Sequence, residues 1–377
     1  MSGYFPSAET VNILMVEDSP TDQELIQLHL RKASSCFSVE CEDTLASAIV
    51  RLDQNRPDVI LLDLNLPDSD GIDTLHNVRK QTPTAPIVIL SGQHDDELAI
   101  EAVSQGAQDY IPKNEINPDV LSRSIRYAIE RSRRQWAEGE LRVAGEIQQS
   151  LLPRSAPELP GYDIAGRCDP ADYAGGDYYD FLSMPDDKLG LVIADVSGHG
   201  VPAAMIMSEL RAVLRTLIRS DSDKSVGQIA TQLNEILSAD LSAERFVTFF
   251  FACFDPAARN LHYACAGHPA YVLSKDGKFE YYDSNDPPLG VHADHSFEDK
   301  FLSLEEGDML TLFTDGITEC YKDNMELYGV QRLMELLHAQ RQESSEVILD
   351  NLFVEAAAFA DDDLQNDDMT AILVKVL

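Results

Sequence analysis

The chain has little positive charge. It contains 29 lysine and arginine residues against 65 aspartate and glutamate residues, a formal net charge of −36 at pH 7. Proteins that bind DNA or RNA need clustered lysine and arginine to neutralise phosphates, so nucleic acid is not expected as a partner. Anionic membrane surfaces are disfavoured for the same reason. An acidic excess is compatible with divalent-cation sites, although a solvated acidic surface is its commoner cause.

Paired cysteines, a signal peptide and long apolar runs are also lacking. The six cysteines show no Cys-x-x-Cys spacing, and a chain of 377 residues needs no disulfides for stability, so reduced thiols are expected. The N-terminus does not place a basic segment before an apolar one. No run approaches the ~20 apolar residues that span a bilayer. These absences predict a cytoplasmic, non-membrane protein, and the length predicts two domains.

The first part of the chain alternates apolar runs with helical segments. The runs lie in "VNILMVEDSP", "PDVILLDLNLPDSDG", "APIVILSGQ" and "AQDYIPK". This alternation predicts a parallel sheet with helices on both faces, and such sheets bind ligands at the carboxyl ends of their strands. Five polar residues stand at those ends: Glu17, Asp18, Asp63, Ser91 and Lys113.

These five residues suit phosphoryl transfer. Three carboxylates in one crevice need a cation, and hard oxygen ligands favour Mg²⁺. A metal-bound Asp63 can act as a nucleophile towards a phosphoryl group. Lys113 would neutralise the incoming phosphate, and Ser91 would donate a hydrogen bond to it.

With these motifs in this order, the stretch from about Val11 to Arg126 resembles the receiver domain of bacterial two-component response regulators. The resemblance implies a flavodoxin-like, doubly wound, five-stranded parallel sheet over 11–126. It also implies that Asp63 accepts a phosphoryl group from a sensor histidine kinase or a phosphotransfer protein. The ligands it implies for one Mg²⁺ are three side chains and one backbone carbonyl: Glu17, Asp18, Asp63 and Asn65. The residues it implies for sensing the phosphate are Ser91, Lys113 and Tyr110. Asn114 departs from the family, which often has proline there.

A helical linker is predicted over 117–152. Asn117 can cap its start, and no proline interrupts it before Pro153. Apolar residues recur along it at intervals of seven: Ile129, Trp136 and Val143. This repeat favours a parallel coiled coil with a second copy, and hence a homodimer. The alternative is two shorter helices, broken near Gly139 and Gly145, that pack on their own domains.

The pattern changes from Leu159 onwards, where short β-rich runs such as "LGLVIADV", "RFVTFFFACF", "DMLTLFTDG" and "MTAILVKV" recur. Helices are predicted between some of these runs, over residues 202–219, 225–239, 330–339 and 345–359. Mostly antiparallel strands with helices outside them predict a two-sheet sandwich flanked by helical layers, in a domain over 153–377.

Aspartates stand where these strands begin or end, often beside glycine: Asp177, Asp180, Asp195, Asp315, Asp367 and Asp368. Glycine lets the backbone approach other groups closely. If the strand ends converge, several carboxylates share one cleft, and without partners they cannot all stay ionised. Two Mn²⁺ or Mg²⁺ ions would resolve that conflict and would bridge and acidify a water. The substrate expected for such a cleft is a phosphoester.

These motifs resemble the PPM-type metal-dependent serine/threonine phosphatases of the bacterial SpoIIE/RsbU branch, over about Val143 to Leu377. The matching fragments, in order, are "EIQQSLLP", "AGGDYYDF", "ADVSGHGVPAAM", "AGHPAYVL", "PPLGV", "LFTDGITE", "LYGVQRL" and "NDDMTAILV". The resemblance implies catalytic metal ligands from four side chains and one backbone carbonyl: Asp177, Asp195, Asp315, Asp367 and Val196. Asp180 and Asp368 would support these ligands through hydrogen bonds. His199 and His268, in glycine-flanked turns, are interpreted as packed and hydrogen-bonded rather than catalytic.

The two resemblances together predict a response regulator whose output domain hydrolyses phosphoserine or phosphothreonine on a protein. Phosphorylation of Asp63 would control that activity through a population shift. By analogy with this branch, the substrate would be a partner-switching protein similar to an anti-sigma-factor antagonist. The alternative is an adaptor similar to RssB-type response regulators, which holds a sigma factor without needing hydrolysis. Relatives of that type have lost metal ligands that this chain retains.

Overall fold

The computed structural model describes residues 10–92, 96–220, 224–242, 244–283, 285–322, 325–360, 365 and 367–377. The chain divides into two units, Met1–Glu140 and Leu141–Leu377. Over the described ranges, no helix joins the length and the apolar character that crossing a bilayer requires.

The first unit is built on one parallel sheet. Its strands are β1 (Val11–Val16), β2 (Phe37–Glu42), β3 (Val59–Asp63), β4 (Ile87–Ser91) and β5 (Asp109–Pro112). The helices that follow these strands are α1 (Pro20–Ala33), α2 (Leu45–Gln54), α3 (Ile72–Gln81), α4 (Asp96–Ser104) and α5 (Pro118–Gln149). The strand order is β2-β1-β3-β4-β5, so the predicted flavodoxin-like, doubly wound sheet is confirmed.

Both faces of this sheet are covered, which explains the continuous apolar runs of its central strands. All five residues of β3 and all five of β4 are buried. Successive side chains of a strand point to opposite faces. Leu62 packs in the cluster that contains Leu75 of α3, and Leu61 packs in the cluster that contains Leu30 of α1 and Ile125 of α5.

The helix α5 is continuous through Gly139 and Gly145. At its start, the Asn117 side chain accepts hydrogen bonds from the backbone N–H groups of Asp119, at 3.1 Å, and Val120, at 3.0 Å. The prediction of two shorter helices is therefore wrong, and the N-cap prediction is right. Four large hydrophobic residues on α5 are more than half exposed: Tyr127, Trp136, Val143 and Ile147.

The second unit contains two antiparallel sheets. Its strands are β6 (Tyr162–Asp169), β7 (Tyr178–Ser183), β8 (Leu189–Val196), β9 (Val247–Asp255), β10 (Asn260–Ala266), β11 (Ala270–Leu273), β12 (Phe279–Tyr282), β13 (Lys300–Ser303), β14 (Met309–Phe313) and β15 (Met369–Val376). The strand orders are β13-β10-β9-β8-β7 and β12-β11-β14-β15-β6. Its helices are α6 (Gly200–Ser220), α7 (Val226–Asp240), α8 (Asp315–Thr318), α9 (Gly329–Ala339) and α10 (Ser345–Phe359).

The alternation of side chains along β9 shows how these layers stack. Phe249 and Phe251 pack in the cluster that contains Leu233 of α7. Phe250, between them, packs in a second cluster with Leu310 of β14. A third cluster packs the far face of the second sheet against α9 and α10. The order of layers is therefore helices, sheet, sheet, helices, which confirms the predicted two-sheet sandwich.

Candidate functional site

The first group of acidic residues lies where the strand order reverses, between β1 and β3. Glu17 and Asp63 are buried and Asp18 is exposed, and one carboxylate oxygen from each lies within 4.8 Å of the others. The Lys113 Nζ donates hydrogen bonds to Asp63 at 2.5 Å, to Glu17 at 2.8 Å and to Asp22 at 3.0 Å. The structure therefore brings together the acidic residues and the lysine that the sequence predicted for this crevice.

Charge in this crevice is only partly balanced. Burial raises the pKa of Glu17, and the negative charge of Asp63 raises it further against the effect of Lys113. Burial alone would lower the pKa of Lys113, but its hydrogen bonds to Asp63 and Glu17 outweigh burial and raise it. One lysine cannot neutralise three carboxylates, and the oxygen donors suit a hard divalent cation.

The other predicted receiver residues surround this group. Ser91 is buried at the carboxyl end of β4, and Tyr110 lies half-buried within β5, paired with Ile89. Asn114 is in the single turn of 3₁₀ helix that follows β5. The backbone N–H of Asn65 donates to the Asp63 carboxylate at 2.9 Å.

In the second unit, Asp368 holds the loop that precedes Asp177. Its carboxylate accepts hydrogen bonds from the backbone N–H groups of Ala171, at 2.8 Å, and Gly176, at 2.6 Å. A Cβ atom on Gly175 would lie 2.1 Å from an Asp368 carboxylate oxygen. A Cβ atom on Gly176 would lie 2.7 Å from the Val196 carbonyl oxygen. The double glycine is there because the chain passes too close to these oxygens for any side chain.

The four aspartates predicted as metal ligands lie at or near the ends of strands. Asp177 is buried just before β7 and accepts a hydrogen bond from the Thr314 hydroxyl at 2.7 Å. Asp195 is the penultimate residue of β8, half-buried and opposite Thr248 of β9. Asp315 begins α8, one residue after the end of β14, and is exposed. Asp367, also exposed, accepts a hydrogen bond at 2.8 Å from the N–H of Asp368.

These aspartates lie close enough for their charges to act on one another. Burial, then the charges of Asp195 and Asp368, raise the pKa of Asp177 well above its usual range. Burial, then the charges of Asp315 and Asp367, raise the pKa of Asp195 to about 7. Asp315 and Asp367 are exposed over part of their surface, but the protein atoms around their carboxyl groups still displace water, and this raises their pKa values as well. The ionised form of each carboxylate is therefore destabilised, first by burial and then by the neighbouring negative charges.

This donor set fits divalent cations. Carboxylate and carbonyl oxygens are ligands that Mg²⁺ and Mn²⁺ prefer, and a cation would remove the mutual repulsion. In the part of the chain that the structure describes, no three carboxylates of this cleft bring their oxygens within 4.8 Å of one another, unlike Glu17, Asp18 and Asp63. A cation therefore has to draw these carboxylates together, so its affinity depends on how their loops are held.

Asp180 belongs to a different network. It is buried and accepts hydrogen bonds from the Tyr178 hydroxyl at 2.6 Å and from the Arg215 guanidinium at 2.8 and 2.9 Å. Arg215 is on α6, so these bonds join α6 to β7. Any support that Asp180 gives to the cleft must therefore act through the packing of α6.

The two histidines differ. His268 is buried, its Nδ1 lies 3.0 Å from the Thr248 hydroxyl, and burial lowers its pKa to about 4. The side chain of His199 is 82% exposed, and its Nδ1 lies 3.5 Å from an Asp172 carboxylate oxygen. The interpretation of a packed side chain is right for His268 and wrong for His199, because the turn containing His199 projects into solvent.

Sequence reasoning missed three residues of this cleft. The Gln148 side chain, at the end of α5, makes two hydrogen bonds to Gly175. The Arg245 guanidinium donates to the carbonyl of Ser197, in the loop that follows Asp195. Glu319, one turn after the start of α8, adds its charge to the cleft. Gln148 lies in the fragment "EIQQSLLP", Glu319 in "LFTDGITE", and Arg245 begins the run "RFVTFFFACF". Only the folded chain shows the partners of these three residues.

Two family models match the chain. The model described as "Stage II sporulation protein E (SpoIIE)" matches residues 185–377, and the one described as "Response regulator receiver domain" matches residues 13–126. The chain is 31% identical over 245 residues to the phosphoserine phosphatase RsbU of Bacillus subtilis, covering 64% of this chain and 71% of RsbU. It is also 31% identical over 314 residues to protein IcfG of Synechocystis sp., covering 76% of this chain and 48% of IcfG. The match thus spans about half the length of IcfG.

Solved structures are similar to the second unit. The SiaA-PP2C domain of Pseudomonas aeruginosa superposes with a TM-score of 0.57 at 22% identity, covering 65% of this chain and 98% of that domain. This likeness establishes the fold. The RsbU and RsbW domains of Rv1364c from Mycobacterium tuberculosis give a TM-score of 0.50 at 27% identity, covering 60% of this chain and 62% of that one.

Proposed function

The chain belongs to the SpoIIE family of metal-dependent serine/threonine phosphatases and carries a response regulator receiver domain, and on that premise we propose that it hydrolyses phosphoserine or phosphothreonine on a protein. The observation that carries this proposal is the cleft in which Asp177 and Asp195 repel each other and their neighbours. Such a concentration of carboxylates is costly for a fold unless the charges serve to bind cations.

We assign the metal ligands of this cleft to four side chains and one backbone carbonyl: Asp177, Asp195, Asp315, Asp367 and Val196. Two Mn²⁺ or Mg²⁺ ions bound there would polarise the phosphoester and acidify the attacking water. The chain's own part is to hold the ligands. Thr314 orients the Asp177 carboxylate, Asp368 fixes the loop before it, and Arg245 fixes the loop after Asp195.

The test is Mn²⁺-dependent hydrolysis of a phosphoserine peptide, with Mn²⁺ binding measured by calorimetry on the same sample. We expect turnover by the full-length chain and loss of nearly all of it in Asp195→Asn. A wild-type chain that binds Mn²⁺ and releases no phosphate from any phosphopeptide overturns the enzymatic proposal. The same variant tests the adaptor alternative, which requires that partner control survive in Asp195→Asn when hydrolysis has stopped.

The receiver is proposed to control this activity through phosphorylation of Asp63 by a histidine kinase or phosphotransfer protein. In support, Asp63 is only 5% exposed and lies against Lys113 and the acidic group of the crevice. We assign one Mg²⁺ to Glu17, Asp18, Asp63 and the Asn65 carbonyl, and phosphate sensing to Ser91, Lys113 and Tyr110. A phosphoryl group on Asp63 would compete for Lys113, and this competition is a local charge change of the kind that shifts a two-state equilibrium.

Two further parts of the proposal concern partners. The substrate is proposed, by analogy with the SpoIIE/RsbU branch, to be a partner-switching protein of the anti-sigma-antagonist kind; the 31% identity to the phosphoserine phosphatase RsbU supports the phosphoserine chemistry of that proposal. The chain is proposed to form a homodimer through α5, whose Trp136, Val143 and Ile147 side chains are more than half exposed. The test is sedimentation of the wild type and of Val143→Glu. If α5 forms the dimer, the wild type sediments as a dimer and the charged variant as a monomer.

A further inference from the structure

The last turns of α5 lie directly against the loop that leads to Asp177. Gly145 is buried there, and a Cβ atom on it would lie 1.8 Å from the backbone carbonyl oxygen of Tyr173. Any larger residue at position 145 would therefore push the helix and the loop apart. The glycine allows a close approach here, although glycine inside a helix costs about 1 kcal/mol relative to alanine.

The close approach of helix and loop allows one side chain of α5, Gln148, to form hydrogen bonds with the loop. The Gln148 amide nitrogen donates to the Gly175 carbonyl at 2.6 Å, and its amide oxygen accepts from the Gly175 N–H at 3.0 Å. Gln148 is only 8% exposed, so these backbone groups have little access to water. A buried backbone group without a partner is unfavourable, and one planar amide that pairs both groups also fixes the orientation of the peptide units.

The loop is thus held from two sides. Gln148 binds Gly175 on one side, and Asp368 binds the N–H of the next residue, Gly176, on the other. Asp177 follows immediately. Its position relative to Asp195 therefore depends on both contacts, in a cleft whose carboxylates a cation must draw together.

We propose that Gln148 is a positioning residue for the metal cleft, which sets the location of Asp177, and hence the affinity for divalent cations, by holding both backbone groups of Gly175. This inference rests on the proposed function, since it names the residue that prepares the same site. Residues that orient metal ligands through hydrogen bonds commonly change metal affinity by about 10–100-fold when they are replaced. Because Gln148 is part of α5, a change in the last turns of that helix would alter the cation affinity.

Two substitutions test the contact from opposite directions. Gln148→Met keeps the length of the side chain and removes both hydrogen bonds. Gly145→Ala leaves Gln148 intact, favours the helix, and inserts a methyl group against Tyr173. The matched controls are Gln149→Met, at the exposed neighbouring glutamine, and Gly139→Ala, where a Cβ atom meets nothing within 4 Å. All chains carry Asp18→Asn, so that the receiver crevice contributes little to cation binding.

The readout is the Mn²⁺ dissociation constant from calorimetry without substrate, together with the Mn²⁺ concentration that gives half-maximal hydrolysis. We expect both values to rise about 10-fold or more in Gln148→Met and Gly145→Ala, to stay within about 2-fold in the controls, and hydrolysis to recover largely at saturating Mn²⁺. A merely structural role would instead lower the melting temperature in EDTA and leave Mn²⁺ affinity unchanged.

A folded Gln148→Met chain with wild-type Mn²⁺ affinity overturns the inference. If that variant does not fold, a folded Gly145→Ala chain with wild-type affinity overturns it equally. Failure of the proposed function gives a different result, in which the wild-type chain binds Mn²⁺ but hydrolyses nothing. In that case the calorimetric comparison still decides whether Gln148 positions the cleft.

Discussion

The carboxylate of Asp368 accepts a hydrogen bond from the backbone N–H of Gly176 at 2.6 Å, although 192 residues separate the two in the chain. This contact brings the start of β15 against the loop before β7. It also explains the double glycine ahead of Asp177, because the Asp368 carboxylate lies where a side chain on Gly175 would have to be.

We predict that Gly175→Ala abolishes most of the phosphatase activity. The new methyl group would overlap an Asp368 carboxylate oxygen and push the loop away from Asp177, and misplacement of about 1 Å can cost 10²-fold in rate. The measurement is hydrolysis of p-nitrophenyl phosphate at saturating Mn²⁺. Gly139→Ala, which meets no neighbour, should keep its activity. Equal activity in the two variants would contradict the explanation of the double glycine.

We predict that Asp180→Asn and Asp368→Asn separate stability from metal binding. Asp180→Asn weakens the bonds to Arg215 and should lower the free energy of unfolding by about 1–3 kcal/mol with little change in Mn²⁺ affinity. Asp368→Asn weakens the hydrogen bonds from the backbone N–H groups of Ala171 and Gly176, so it should lower both the free energy of unfolding and the Mn²⁺ affinity. Urea unfolding measures the stability, and calorimetry measures the Mn²⁺ affinity. If Asp180→Asn loses as much Mn²⁺ affinity as Asp368→Asn, the two aspartates do not have the separate roles predicted here.

The raised pKa of Asp195 gives a pH dependence with a definite sign. In the metal-free folded chain its pKa is about 7, against 3.8 for an unperturbed aspartate. The folded state therefore binds more protons than the unfolded state between these values, and this contribution to stability is lost as pH rises towards 7 and above. Melting temperatures in EDTA should fall from pH 5 to pH 8, and less steeply in Asp195→Asn.

Added Mn²⁺ should reverse this trend at pH 8, because the cation binds the ionised carboxylates and stabilises the folded state by mass action. Apparent Mn²⁺ affinity should also fall as pH drops below 7, since protons then compete for Asp195. The mutual repulsion would be ruled out if the melting temperature of the wild-type chain in EDTA did not fall from pH 5 to pH 8, or if it changed with pH in the same way as that of Asp195→Asn.

We predict that beryllofluoride, a stable mimic of a phosphoryl group on aspartate, changes the rate of hydrolysis by the wild-type chain and not by Asp63→Asn. The reason is that Lys113 now binds Asp63 at 2.5 Å and must rearrange when an anionic group is added there. The rate is measured with a phosphoserine peptide in Mg²⁺ and beryllofluoride. An identical response of the two chains would exclude control through Asp63.

Local patterns were enough to predict most of the elements in this fold. The helix predicted over 345–359 has those bounds in α10, and the one predicted over 202–219 begins two residues earlier and ends one later, as α6. Hydrophobic periodicity determines such elements over short stretches. It also indicated whether the strands of each domain run parallel or antiparallel, but it did not predict the order of the strands in the sheets of the second unit.

The contacts that hold the cleft could not be predicted in this way. Gln148 reaches Gly175 across 27 residues, and Arg215 reaches Asp180 across 35. Neither contact leaves a periodic signal, because both depend on how a helix packs against residues that are distant in the sequence. The exposure of His199 was missed for a related reason, since its glycine-flanked turn resembles that of the buried His268.

The most direct measurement is the anomalous scattering of manganese in a crystal of the full-length chain. The account predicts manganese in the cleft of the second unit, coordinated at about 2.0–2.3 Å by carboxylates that include Asp177 and Asp195. Well-ordered aspartates that stay apart at saturating manganese, with no anomalous peak between them, would contradict it.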